Sequence, residues 1–169
     1  LDTDERKYFT DNEHELLITQ TQHQLASNTN TEIDLTYFNH PVKSVHLVSG
    51  KATGNDWDSE FTFQKSSLYI NGVPLFEDTS NVYHHTVVPE MHSTDLPDDI
   101  LEDLPTFTWP FCLNLSKMQP TGTLNFSRID NAKLALVGPT GGNALHRIYA
   151  VNYNVLRIKN GMAGVAFGN

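Results

Sequence analysis

Cysteine is almost missing from this sequence. Cys112 stands alone among 169 residues, so no intrachain disulfide and no cysteine-cluster metal site can form. Basic residues are also few, with 11 Lys and Arg against 20 Asp and Glu and a formal net charge of −9. Only Arg6 and Lys7 sit side by side. Nucleic-acid affinity grows with the number of phosphates neutralised, so this balance argues against a direct nucleic-acid binder. No apolar run approaches the roughly 20 residues of a membrane-spanning helix. Even 162–167 is continuous only across Gly164. The opening ten residues are charged and do not read as a signal peptide.

Catalytic patterns are missing too. The nucleophile-elbow pattern G-x-S-x-G does not occur. Gly138-Pro139-Thr140-Gly141-Gly142 has the look of a phosphate cradle, but it lacks the lysine and the following helix. His14-Glu15 is followed by Ile18 where the zinc-protease helix needs a second histidine. The eight histidines (His14, His23, His40, His46, His84, His85, His92 and His146) show no ligand spacing suited to a strand or a helix. Asp95, Asp98, Asp99, Glu102 and Asp103 form an acidic stretch that matches no calcium loop. The expectation is a protein that is not an enzyme, with no cofactor and no metal.

What is present is alternation. Phe107, Trp109, Phe111, Leu113 and Leu115 alternate with smaller or polar residues, predicting a strand over 106–115 with one face in a core. Pro110 cannot donate to a ladder, which predicts either an edge position for that strand or an irregular start at that residue. Cys112 falls on the face opposite the aromatic row. SLYI and VPLF flank Asn71-Gly72, the residue pair a type I′ hairpin turn requires. Residues 147–158 place Tyr149, Val151, Tyr153 and Val155 on one face and Ala150, Asn152, Asn154 and Leu156 on the other. At about 3.3 Å per residue that strand spans roughly 40 Å.

Weaker alternation marks Ile33, Leu35 and Tyr37, the stretch VKSVHLV, Phe61 and Phe63, Leu124 and Phe126, and Leu134 and Leu136. The polar SRIDNA between the last two pairs reads as a bulge or turn. Asp2 and Glu5 have capping-box spacing for a short N-terminal helix, and 79–92 holds a second short helix or turn. Polar connections run over 27–31, 50–60, 93–105 and 137–143. Seven to nine strands with little helix predict an all-β single domain, an antiparallel sandwich of immunoglobulin or jelly-roll type. Asn152 and Asn154 either cover a solvated sheet face or, if buried, are hydrogen-bonded and mark a subunit or domain contact. The sequons at Asn114 and Asn125 fall in or beside strands and are expected to be unmodified.

One set of residues carries a resemblance. It comprises Pro120-Thr121-Gly122 ahead of Leu124-Asn125-Phe126-Ser127-Arg128, then Ala150-Val151-Asn152-Tyr153-Asn154 with Leu156-Arg157-Ile158, and Asn160-Gly161 before a small apolar tail. With the opening Thr3-Asp4-Glu5-Arg6, these resemble the C-terminal part of the major capsid proteins of large eukaryotic double-stranded DNA viruses, of iridovirus and algal-virus type. The resemblance touches both ends of the chain and is loose over 50–105. It implies the second roll of a double jelly roll, in a subunit of which three form a pseudo-hexagonal capsomer of an icosahedral virion shell over an internal membrane. A homotrimer, with minor capsid or cement proteins beside it, is the implied set of partners. A chain that starts at Leu1 then reads as the C-terminal half of a longer protein. Pro120, Thr121, Gly122, Asn125, Arg128, Asn152, Asn154, Arg157 and Gly161 are the structural residues the motif supplies. The main rival is a jelly-roll binding module, lectin-like or receptor-binding, using Trp57, Trp109 or Tyr83 as a stacking face. A cupin-type metalloenzyme would need inward-facing histidines that the spacing does not provide.

Overall fold

This computed structural model of the chain describes residues 1–26, 31–48, 62–93, 106–139 and 146–168. Trp57, Phe61 and the acidic stretch 95–103 lie outside the described residues. The chain opens with α1 (Thr3–Asp11), started by the expected capping box. The Glu5 amide donates to the Asp2 carboxylate at 2.8 Å, and the Asp2 amide donates to Glu5 at 3.1 Å.

Strands follow: β1 (His14–Ala26), β2 (Glu32–Asp34), β3 (Pro41–Val48), β4 (Lys65–Ile70) and β5 (Val73–Ser80). Asn71 and Gly72 both take positive φ, 49° and 80°, and close the β4–β5 hairpin as their dipeptide predicts. A π-helical turn (Tyr83–Val87) runs into α2 (Val88–His92), in the segment expected to hold a short helix or turn. The chain then adds β6 (Thr106–Pro110), β7 (Leu124–Asn125), a 3₁₀ turn at Phe126–Arg128, β8 (Ala132–Val137), β9 (His146–Lys159) and β10 (Met162–Val165).

The strands form two antiparallel sheets. One has the order β1-β9-β3-β6, with β7 beside β3 and β10 beside β9; the other has the order β2-β8-β4-β5. Leave out β7 and β10, and the first sheet takes the first, eighth, third and sixth strands while the second takes the second, seventh, fourth and fifth. That interleaving is the jelly roll, and it decides between the two sandwich types the pattern allowed. Between the sheets lie Val45, Leu47, Phe107, Trp109, Ile148 and Ala150 from one side and Ile33, Leu68, Leu134 and Leu136 from the other. Phe63 adds a ring 4.5 Å from that of Phe107, within the range of favourable aromatic pairs.

Two predicted strands end early. The 106–115 strand stops at Pro110, and the residues after it turn away, leaving Leu113 76% exposed. The Phe111 amide still donates to the Lys43 carbonyl at 2.9 Å, and beyond it Thr121 holds the segment in a loop instead. Asn114 therefore sits in a loop and not in a strand. Likewise Ile33 and Leu35 are buried but Tyr37 is 77% exposed. The Asp34 carboxylate accepts from the Thr36 amide at 2.9 Å and also from its hydroxyl, which turns the chain before a third alternation.

The edge position expected for the proline strand holds, since β6 flanks only β3. Its outward carbonyls are met by histidines. The Nδ1 atoms of His85 and His84 bond the carbonyls of Thr106 and Thr108 at 3.0 Å each, and His92 Nδ1 bonds that of Cys112 at 2.9 Å. A carbonyl only accepts, so each Nδ1 carries a hydrogen. Imidazoles thus occupy the edge where a further strand would otherwise pair.

Candidate functional site

The nine motif residues collect at one end of the larger sheet. At the opposite end, Val48 pairs with Thr106 and Arg147, and Ala26 with His146. At the motif end, Pro41 and Val42 meet Asn125 and Leu124, and β9 runs on to β10.

Pro120, Thr121 and Gly122 secure the loop that follows β6. The Thr121 hydroxyl accepts from the Asn114 amide at 3.0 Å and donates to the Asn114 carbonyl at 3.3 Å, while the Leu113 amide reaches the Thr121 carbonyl at 3.4 Å. Gly122 has φ +143° and packs so closely that a Cβ would lie 2.7 Å from the Phe111 carbonyl oxygen. The loop covers a small polar interior. Lys43, only 8% exposed, donates to the Leu115 carbonyl at 2.7 Å and stands 5.7 Å from the centroid of the Tyr153 ring. Burial pushes up the Cys112 thiol, with Lys43 pulling the other way, and burial also pushes up the Tyr153 hydroxyl. A thiol raised in this way is a poor nucleophile.

Asn125 bridges to the turn after β7, its side chain accepting from the Ser127 amide at 3.1 Å, and Arg128 is exposed at the end of that turn. Asn152 and Asn154 are buried on the inward face of β9, in line with Ile148 and Ala150. Asn152 accepts from Gln22 at 3.0 Å. Asn154 donates to Gln20 and to the Phe167 carbonyl, both at 2.8 Å, and accepts from the Phe167 amide at 3.3 Å. Of the two readings open for these asparagines, the buried one holds, and their partners lie within the chain. Arg157 pairs with Glu15 directly across β1, with Nη2 at 2.7 Å, on the solvated side. Gly161, φ 72°, follows Asn160, φ 52°, in the β9–β10 turn against Thr10.

Asn154 thus ties the tail to the sheet. Asn154→Ala should cost about 1–3 kcal/mol, the usual range when buried hydrogen-bond partners are orphaned. At about 2–4 °C per kcal/mol for a chain of this size, thermal melting should show a drop of several degrees. The Phe167 amide should also exchange faster.

Sequence reasoning missed a second buried polar group, near the middle of the same sheet. A register shift between Val42 and Ser44 puts Lys43 and Ser44 out of simple alternation. His46 is then bonded on both nitrogens, to Ser44 Oγ at 2.8 Å and to Thr108 Oγ1 at 3.0 Å. Its pKa falls to about 4, mainly through burial and secondarily through Lys43. His84 is fully buried against Trp109, ring centroids 4.6 Å apart. Its pKa is also held near 4 by burial, against the opposing bond to the Thr108 carbonyl. Histidines so low are neutral at physiological pH. The Ser44 hydroxyl that His46 bonds is itself fully buried, and among the described residues no group of three metal-ligating side chains gathers. Trp109 is fully buried and Tyr83 half-buried, so neither offers the open stacking face of a sugar-binding site.

The family model for the large eukaryotic DNA virus major capsid protein matches residues 5–164. The chain is 36% identical to the major capsid protein of Pyramimonas orientalis virus over 188 aligned positions, covering all of this chain and 47% of that one. It is 29% identical to the major capsid protein of Paramecium bursaria Chlorella virus 1, covering all of this chain and 52% of the relative. It therefore spans about half the length of these relatives. Among solved structures, a chain of the quasi-atomic PBCV-1 virus capsid superposes with TM-score 0.75 at 26% identity, over all of this chain and 55% of that one. The Faustovirus major capsid protein, at 12% identity and TM-score 0.67, shares the fold. The chain belongs to the family of major capsid proteins of large eukaryotic DNA viruses.

Proposed function

We propose that this chain is the C-terminal jelly roll of a double-roll capsid subunit, a structural component of the virion and not an enzyme. The observation that carries the reading is the match of the whole of this chain to about half of the Pyramimonas orientalis virus protein and of the PBCV-1 capsid chain. A roll that accounts for half a subunit leaves room for a second of similar size. In this reading three subunits form a pseudo-hexagonal capsomer, with minor capsid or cement proteins beside it and an internal membrane beneath it. The motif residues then act as internal ties that keep one end of the roll rigid, as their hydrogen bonds to loop, tail and neighbouring strand suggest. The exposed Arg128 is the motif residue best placed to reach a neighbour. Buried neutral histidines and a raised thiol suit a scaffold better than a reaction centre.

The test is the solution mass of the full-length product of the gene that encodes this chain, by chromatography with light scattering. A discrete trimer of a subunit about twice this length is expected. A monomer of this chain's size would overturn the reading.

A further inference from the structure

Among the described residues, every sheet edge but one carries a device against pairing. Strand β2 has three residues, β7 two and β10 four. Strand β5 contains Pro74, two register shifts against β4 and the acids Glu77 and Asp78, the latter at φ 49°. Strand β6 has Pro110 and its histidine-bonded carbonyls. These are the ways natural sheets blunt an edge. Strand β1 has none of them. It runs 13 residues in unbroken register with β9, and from Leu16 to Ala26 it holds no proline, glycine, acid, lysine or arginine.

The register settles which of its amides face outward. The carbonyls of Thr106 and Thr108 point away from β3, so Phe107 and Trp109 are the β6 residues bonded to β3, through Leu47 and Val45. By antiparallel alternation, His46 and Val48 then bond Tyr149 and Arg147, which leaves Ile148, Ala150 and Asn152 to bond β1. Their partners there are Gln24, Gln22 and Gln20. The amides and carbonyls of Leu17, Thr19, Thr21, His23 and Leu25 therefore face away from the sheet, and all five residues are exposed.

We propose that this open edge is a strand-pairing interface, and that its occupant is an edge strand in the other half of the same polypeptide. The inference rests on the double-roll reading above. In that reading the preceding chain enters through α1, a nine-residue helix about 13 Å long that joins β1 two residues on. A helix joined so directly to β1 brings what precedes it in the same polypeptide into the neighbourhood of this edge and raises its effective concentration there. Main-chain bonds from five outward residues then supply the affinity of strand addition, with Leu17 and Leu25 adding apolar contact.

The test is amide hydrogen exchange in the full-length subunit, together with cross-linking from Thr21→Cys. Protection of the Thr19, Thr21 and His23 amides at least about a hundredfold over reference peptides is expected, as is a cross-link into the other half of the same chain. The double variant Thr19→Pro/Thr21→Pro removes only outward donors, so the β1–β9 ladder and trimer mass should survive while the occupant strand loses its protection. Trimers whose outward β1 amides exchange freely would overturn the interface and leave the capsid reading intact. A cross-link between the same position in two copies would overturn the stated occupant. A full-length product of single-roll mass would overturn both readings, and the mass alone identifies that case.

Discussion

Acidification from pH 6.5 to 4.5 should remove several kcal/mol of folding stability, and the loss should trace to His46 and His84. Both have folded pKa values near 4, against an ordinary value of 6.5 that applies once the chain unfolds. Between those values the unfolded chain binds more protons than the folded one, so stability rises with pH and falls as the pH drops. Above about 7 both are neutral in either state and the contribution is complete; below about 4 the loss levels off. A shift of that size corresponds to about 3 kcal/mol for the fully buried His84, and to less for His46, whose ring is partly exposed. His84 bears the cost because a second ring hydrogen, on Nε2, would enter a site between Trp109 and Phe76 with no partner for it among the described residues.

Denaturant titration at half-unit pH steps measures this directly. The double variant His46→Asn/His84→Asn should be weaker at pH 7 yet nearly flat down to pH 4.5. A parent whose midpoint stays constant across that window would refute the assignment. The acid side of the curve has a different origin, because Lys159 holds the Glu13 carboxyl below its ordinary value. Its contribution is lost only as the pH falls further, and the choice of window keeps the two apart.

Strand identity was legible in the sequence wherever alternation ran unbroken. Residues 147–158 announce both faces of β9, and Asn71-Gly72 announces a hairpin, because each signal depends on neighbours within a few residues. Legibility failed where one residue answered to a distant partner. Alternation carried the 106–115 strand five residues too far, because the Thr121 hydroxyl, and not local preference, claims Asn114. It also gave no hint that Lys43 would be buried, since that follows from a register shift against β9. His84 and His85 showed no shared face as a strand and fell in a stretch of weak helical propensity. Their purpose emerges only once β6 is known to be an edge whose carbonyls need donors.

The candidate site divides along the same line. Gly161 and Asn160 could be read as a turn from their dipeptide alone. Asn152 and Asn154 could be read as strand residues, but their burial depends on Gln20, Gln22 and the returning tail, which lie up to 134 residues away in sequence. Thr121 and Gly122 look like ordinary loop residues until Phe111 and Asn114 are placed against them.

Gly122→Ala should be among the most damaging single methyl additions available in this chain. Two separate penalties meet there. The backbone sits at φ +143°, a region that side-chain-bearing residues rarely enter, at a cost of about 1–3 kcal/mol. The added Cβ would also lie 2.7 Å from the Phe111 carbonyl oxygen and 3.2 Å from the Cys112 Cα. Those are backbone atoms that cannot swing aside, and overpacking of this kind costs about 1–3 kcal/mol more. The loop must shift, and with it the Thr121 bonds and the lid over Lys43. A total near 4 kcal/mol is expected, read as a melting temperature lower by about 10 °C. Gly164→Ala provides the contrast, because no atom lies within 4 Å of its Cβ position and its φ is unremarkable. It should melt within about 2 °C of the parent. Equal melting of the two variants would show that the close approach at Gly122 is not what holds the loop.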